Sequence, residues 1–125
     1  MRLLVLADEQ VDSARIRAAL PGEQALDEAE VLVVEPAVNR SRLAFWMSDS
    51  DEAIAEAREN EERSVQALRS EGVEASGEVG ESEPLLALQD ALATYEADLV
   101  LLLTGDEALE REASERFGVR VVRPA

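Results

Sequence analysis

The order of apolar runs and helical repeats predicts an α/β fold: a doubly wound parallel sheet of five strands with helices on both faces. Three observations carry this. Short continuous runs such as Leu3 to Leu6 and Leu99 to Leu103 lack polar alternation, which is the pattern of parallel strands covered on both sides. Between the runs lie segments with apolar residues three and four apart, bounded by Asp, Ser, Pro and Gly. The 125 residues, 46% of them hydrophobic, are enough for one core, so 1–125 is read as a single domain.

The elements follow in order. Leu3 to Leu6 is the first strand, and its apolar run continues through Ala7 to Asp8. Residues 12 to 20 form a helix with Asp12 as N-cap, Ile16 and Leu20 on one face, and Pro21-Gly22 as its stop. Residues 23 to 30 add another helical turn or two. Val31 to Val34 is the second strand, closed by Glu35-Pro36. Residues 37 to 47 are irregular and long for a loop in a compact domain, which marks a segment that is either mobile or used. Ser48 or Ser50 then caps a helix reaching about Ser70, with Ile54, Ala57, Val65 and Leu68 facing inward and Gly72 ending it.

Val73 to Val79 alternates small or apolar residues with Glu, Ser and Glu, as an edge strand does. Pro84 opens the next helix at its first position, carrying Leu85, Leu88, Leu92 and Tyr95 at helical spacing. Leu99 to Leu103 is the strongest strand signal. Thr104 to Glu107 has the form of a capping box, and Leu109, Ala113 and Phe117 face inward before Gly118. Val119 to Val122 is the last short strand.

Composition excludes much chemistry. There is no Cys and no His, and all 12 cations are Arg, so thiol, imidazole and lysine catalysis are unavailable. With 28 acids the net charge is -16, which repels nucleic acid and anionic membrane surfaces. Neither is expected as a partner. No catalytic residue, metal or cofactor is assigned. The carboxylates from Glu56 to Glu62 spread around a helix instead of converging, which reads as a solvated face. The short first apolar run is neither a signal peptide nor a span, and the cytoplasm is the expected compartment.

The strand ending at Asp8, the step Val79-Gly80-Glu81-Ser82-Glu83-Pro84 and the entry Ala97-Asp98-Leu99-Val100-Leu101-Leu102 resemble the universal stress protein family over nearly the whole chain. Trp46-Met47-Ser48-Asp49 before the second long helix resembles a divergent branch of that family. The resemblance implies a three-layer sheet of order 3-2-1-4-5, as in adenine nucleotide alpha hydrolase-like and flavodoxin-like folds, and commonly a homodimer. In nucleotide-binding members, Gly-x-x-Gly, nine residues, then Gly and Ser or Thr hold the phosphates of ATP. Here Gly105 matches the first glycine, the second position is Ala108, and Gly118 matches the third by spacing only, since it serves as a helix stop with Val119 behind it. The simplest alignment joins Thr104-Gly105 straight to the last helix, deleting the phosphate loop.

In such a sheet ligands bind at the carboxyl ends of the strands where the order reverses, between the first and fourth. The cleft candidates are Asp8, Glu9, Arg40, Arg42, Thr104 and Gly105. The resemblance implies that Asp8 helps to hold an adenosine; a helix cap or solvated carboxylate accounts for it equally. Arg40 and Arg42 either clamp an anion in two parallel bonds or neutralise the acids around them. Thr104 and Gly105 either present a helix N-terminus to an anion or simply cap the helix. Phe45, Trp46 and Met47 are expected to pack onto the core, the alternative being a lid or a partner patch.

The function expected is that of a non-catalytic, dimeric binding or regulatory module, paired through its last strand, with a small molecule or a protein as its unidentified partner. The alternative is nucleotide binding at a non-standard site formed by the ends of strands 1, 2 and 4.

Overall fold

The two most apolar strands, β1 (Arg2–Leu6) and β4 (Leu99–Leu102), lie side by side at the centre of the sheet, where both faces are covered. The computed structural model describes residues 1–20, 26–37, 50–104 and 107–124. Outward from this pair run β2 (Glu30–Pro36) and β3 (Glu74–Gly80) on one side and β5 (Arg120–Val122) on the other. The order is β3-β2-β1-β4-β5 and every pairing is parallel, as expected.

Strand alternation splits the core in two. Leu3 and Val5 of β1 join Val31, Val33, Leu99 and Leu101 under α1 (Ser13–Ala19) and α2 (Ser50–Ser70), represented by Ile16, Val65 and Leu68. Leu4 and Leu6 join Leu32, Val34, Val100 and Leu102 under α3 (Pro84–Thr94) and α4 (Glu107–Phe117), represented by Leu85, Leu88, Ala91 and Ala113.

Local signals explain the element ends. Asp12 caps α1, its carboxylate accepting from Arg15 N at 2.9 Å, so Asp8 is not that cap. Pro84 stands in the first turn of α3, where its missing N–H costs nothing. Gly72 and Gly118, at φ 85° and 62°, end α2 and α4 in the left-handed region that favours glycine. The helix expected over 23 to 30 is, in its described part, a single 3-10 turn at Leu26–Glu28, because strand β2 begins at Glu30. Pairing carries β2 on to Pro36, opposite Gly80.

One expected core position is wrong. Ile54 is 42% exposed, whereas Ala53 and Ala57 are buried. The first turns of α2 lie over the ends of β1 and β2 with Ala53, Glu56, Ala57 and Asn60, which turns Ile54 aside. The loop expectations for Arg40, Arg42, Phe45, Trp46 and Met47 fall outside the described residues, and the capping box from Thr104 to Glu107 spans residues 105 and 106, also outside them.

Both sheet edges are strands, as expected. On β3, Gly77 leaves room for helix α2: a Cβ there would collide with Glu61 Oε1 and stand 2.8 Å from Val65 Cγ2. Glu61 thus lies across the edge strand. Burial, with Glu62 adding to it, pushes its carboxyl above the usual range. Arg69 Nε donates to Ala75 O at 2.8 Å on the same edge. The outermost strand on the other side, β5, is only three residues long.

Candidate functional site

The main-chain ladder runs one residue past β1 and β4: Ala7 N donates to Val34 O at 3.0 Å, and Leu103 N to Leu6 O at 2.8 Å. Asp8 and Thr104 therefore emerge where the strand order reverses, the position at which open parallel sheets bind ligands. Asp8 is half-buried. It lines a cavity of about 10 Å³, room for one water, with Glu35, Pro36, Ala53, Glu56, Ala57 and Asn60.

Glu35 is fully buried and was missed as a site residue. Alternation along β2 sends Val34 to the α3 face and Glu35 to the α2 face, where Ala53 and Ala57 are small enough to admit it. Read as a strand terminator before Pro36, it carried no signal of its own. Only the register places it, since β2 pairs with β3 through Glu35 opposite Val79. Glu56 and Asn60, a helical turn apart, were hidden among the acids of α2.

The other candidates disperse. Glu9 is exposed and its carboxylate pairs with Arg15 of α1, away from the cavity. Thr104 is half-buried and does not line the cavity. Arg40, Arg42 and Gly105 lie outside the described residues. Four residues, 103 to 106, separate the end of β4 at Leu102 from the start of α4 at Glu107. Among the described residues no group of three or more Asp or Glu could hold a metal ion, although three carboxylates border the cavity. No described helix is long and apolar enough to cross a membrane.

The opposite end of the sheet is polar in a different way. Arg2 N donates to Asp98 Oδ2 and Asp98 N donates back to Arg2 O, both at 2.8 Å. The Tyr95 hydroxyl donates to Glu30 O at 2.9 Å, with Leu3 O at 3.4 Å. The Arg2 guanidinium lies 4.2 Å from the Tyr95 ring centre and 3.4 Å from Glu30 Oε2. Burial, and secondarily Glu30, pushes the Tyr95 phenol above its usual value.

These features define the class: an open, doubly wound α/β domain with its strand-order reversal between β1 and β4. One solved structure like it is that of a universal stress protein from Archaeoglobus fulgidus, with a TM-score of 0.64 and 20% identity over 100% of this chain and 93% of that one. The likeness establishes the fold. No protein-family model matches the sequence, and no curated protein does.

Proposed function

We propose that this chain is a non-catalytic binding or regulatory module of the universal stress protein type that does not hold ATP at the ends of β1 and β4. The observation that carries this reading is the short connection from Leu102 to Glu107, whose four residues contain one glycine. A phosphate loop works by wrapping several backbone amides around an anion. Four residues leave no room for the longer Gly-x-x-Gly, nine-residue, Gly loop of nucleotide-binding members that the resemblance implies.

The neighbouring carboxylates support the same reading. Asp8 and Glu56 border a water-sized cavity with the buried Glu35, and acidic side chains at the mouth of the cleft would oppose a polyphosphate. Calorimetric titration with magnesium-ATP, AMP and cyclic nucleotides tests the proposal. Silence at micromolar concentrations is expected, and a dissociation constant below about 10 μM, equivalent to roughly -7 kcal/mol, would overturn it.

Assembly through β5 belongs to the same proposal. As the last strand of the sheet it offers a free edge to a second copy, while the 7-residue edge of β3 is crossed by Glu61 and Arg69 of α2. Sedimentation at tens of micromolar is expected to show a homodimer, and a monomer alone would remove this part.

A further inference from the structure

A recess bordered by described residues lies far from the carboxyl end of the sheet. The C-terminal turns of α3 and α4 and the amino ends of β4 and β5 border an open groove of about 690 Å³. Its apolar lining comes from Leu92, Ala93, Phe117 and Val119. That volume falls within the usual span for small-molecule sites, about 300 to 1,000 Å³.

Two arginines give the groove its chemistry. Arg116 and Arg120 both line it, and among the described residues neither has a carboxylate within ion-pairing distance. Arg58, Arg69 and Arg111 also lack an ion pair among the described residues, so what sets Arg116 and Arg120 apart is that two arginines line one groove. Arg116 is held by Gln89, its Nη2 donating to Oε1 at 3.1 Å, and its guanidinium lies 5.9 Å from the centre of the Phe117 ring. Standing in the last turn of α4, it also suits the helix dipole. Arg120 starts a strand and has no such account. The groove's own acids are Glu96, which is exposed, and Asp98, which is already engaged by Arg2 N.

We infer that this groove binds a small amphipathic monocarboxylate, its head between Arg116 and Arg120 and its apolar body along Leu92, Phe117 and Val119. Guanidinium groups grip carboxylates in a directional, bidentate way, and the apolar lining favours an alkyl or aryl body. The net charge of -16 sets a limit on the ligand. Every added negative charge meets the field of the whole molecule, and screening confines that field only beyond about 8 Å at physiological salt. A single carboxylate is therefore preferred over a polyphosphate.

Sodium octanoate is the probe, with octanol as its uncharged counterpart, titrated calorimetrically into the wild-type protein. Octanoate is expected to bind saturably with a dissociation constant of about 1 mM or tighter, and octanol at least about tenfold more weakly. The double variant Arg116→Gln/Arg120→Gln should lose octanoate affinity by at least about tenfold, with circular dichroism unchanged, while Arg63→Gln on α2 should keep it. If the double variant fails to fold, magnetisation transfer in wild-type protein from the octanoate chain to the Phe117 ring decides. Non-saturable binding, equal affinity for octanol, undiminished binding in the folded double variant, loss in Arg63→Gln, or no transfer to Phe117 would each overturn the inference.

Discussion

At the amino end of the sheet, Glu30 has the Arg2 guanidinium beside it and Asp98 accepts from the Arg2 amide; at the carboxyl end, Asp8, Glu35 and Glu56 share the walls of one water-sized cavity. The first arrangement ties β1, β2 and the entry to β4 together with complementary groups. The second gathers three acidic side chains where this fold class places its ligands. The contrast separates two uses of polar residues in one small domain, since complementary groups hold strands in register while gathered acids restrict what can approach. Substitutions of the acidic residues at the two ends should differ in sign.

The largest effect is expected at Tyr95, which is buried against β1 and β2. Tyr95→Ala should cost about 3 to 5 kcal/mol in urea unfolding, because it removes both an aromatic from the core and a main-chain tie. A cost under about 1 kcal/mol would show that the amino end is not a clasp.

Gly80, at the carboxyl end of β3, comes next. A Cβ there would meet Ala87 Cβ at 2.7 Å and Val34 Cγ1 at 3.2 Å, so Gly80→Ala should push α3 off the sheet and cost about 1 to 3 kcal/mol. Thermal melts of the variant and wild type provide the comparison. An unchanged midpoint would mean that this end yields easily.

Tyr95→Phe isolates the hydroxyl and should cost about 1 kcal/mol at neutral pH. It also carries a pH signature. The folded-state phenol titrates above its usual 10.0, so the folded protein holds that proton longer than the unfolded chain. The associated stability is complete below about pH 10 and is lost as pH rises through the raised value. Wild-type stability should therefore fall more steeply than that of Tyr95→Phe above pH 10, and parallel curves would contradict the assignment.

The smallest and sharpest test pairs two identical substitutions. Glu30→Gln should lose up to about 1 kcal/mol by breaking a half-exposed ion pair with Arg2, whereas Glu56→Gln should gain a few tenths by thinning the acids around the cavity. With a net charge of -16, wild-type melting temperature should rise from 10 to 300 mM sodium chloride, and less so in Glu56→Gln. Equal signs for Glu30→Gln and Glu56→Gln, or a flat salt response, would remove the distinction.

Much of the fold was legible because its signals are local. The unbroken run from Leu3 to Leu6 needs cover on both faces wherever it lies, Asp12 caps the residues that follow it, and Pro84 can only open a helix. The candidate site was less legible. Asp8 was found, since it directly follows a buried strand, but Glu35 was read as punctuation, and nothing in α2 set Glu56 and Asn60 apart from the surrounding acids. Ile54 was assigned inward on apolarity alone, although the strand ends beneath that turn admit only Ala53 and Ala57.

By itself the sequence determined the alternation of strands and helices, the two-sided cover of β1 and β4, the half-exposed character of β3, and the exclusion of thiol, imidazole and lysine chemistry. These follow from periodicity and composition, which a chain carries without reference to its contacts. Tertiary structure alone decided which residues meet: that Glu35 turns beneath α2, that Glu61 crosses Gly77, and that Arg116 and Arg120 share one groove from different elements. Such meetings depend on register and on the placing of helices over the sheet, and both are set by packing between segments far apart in the chain.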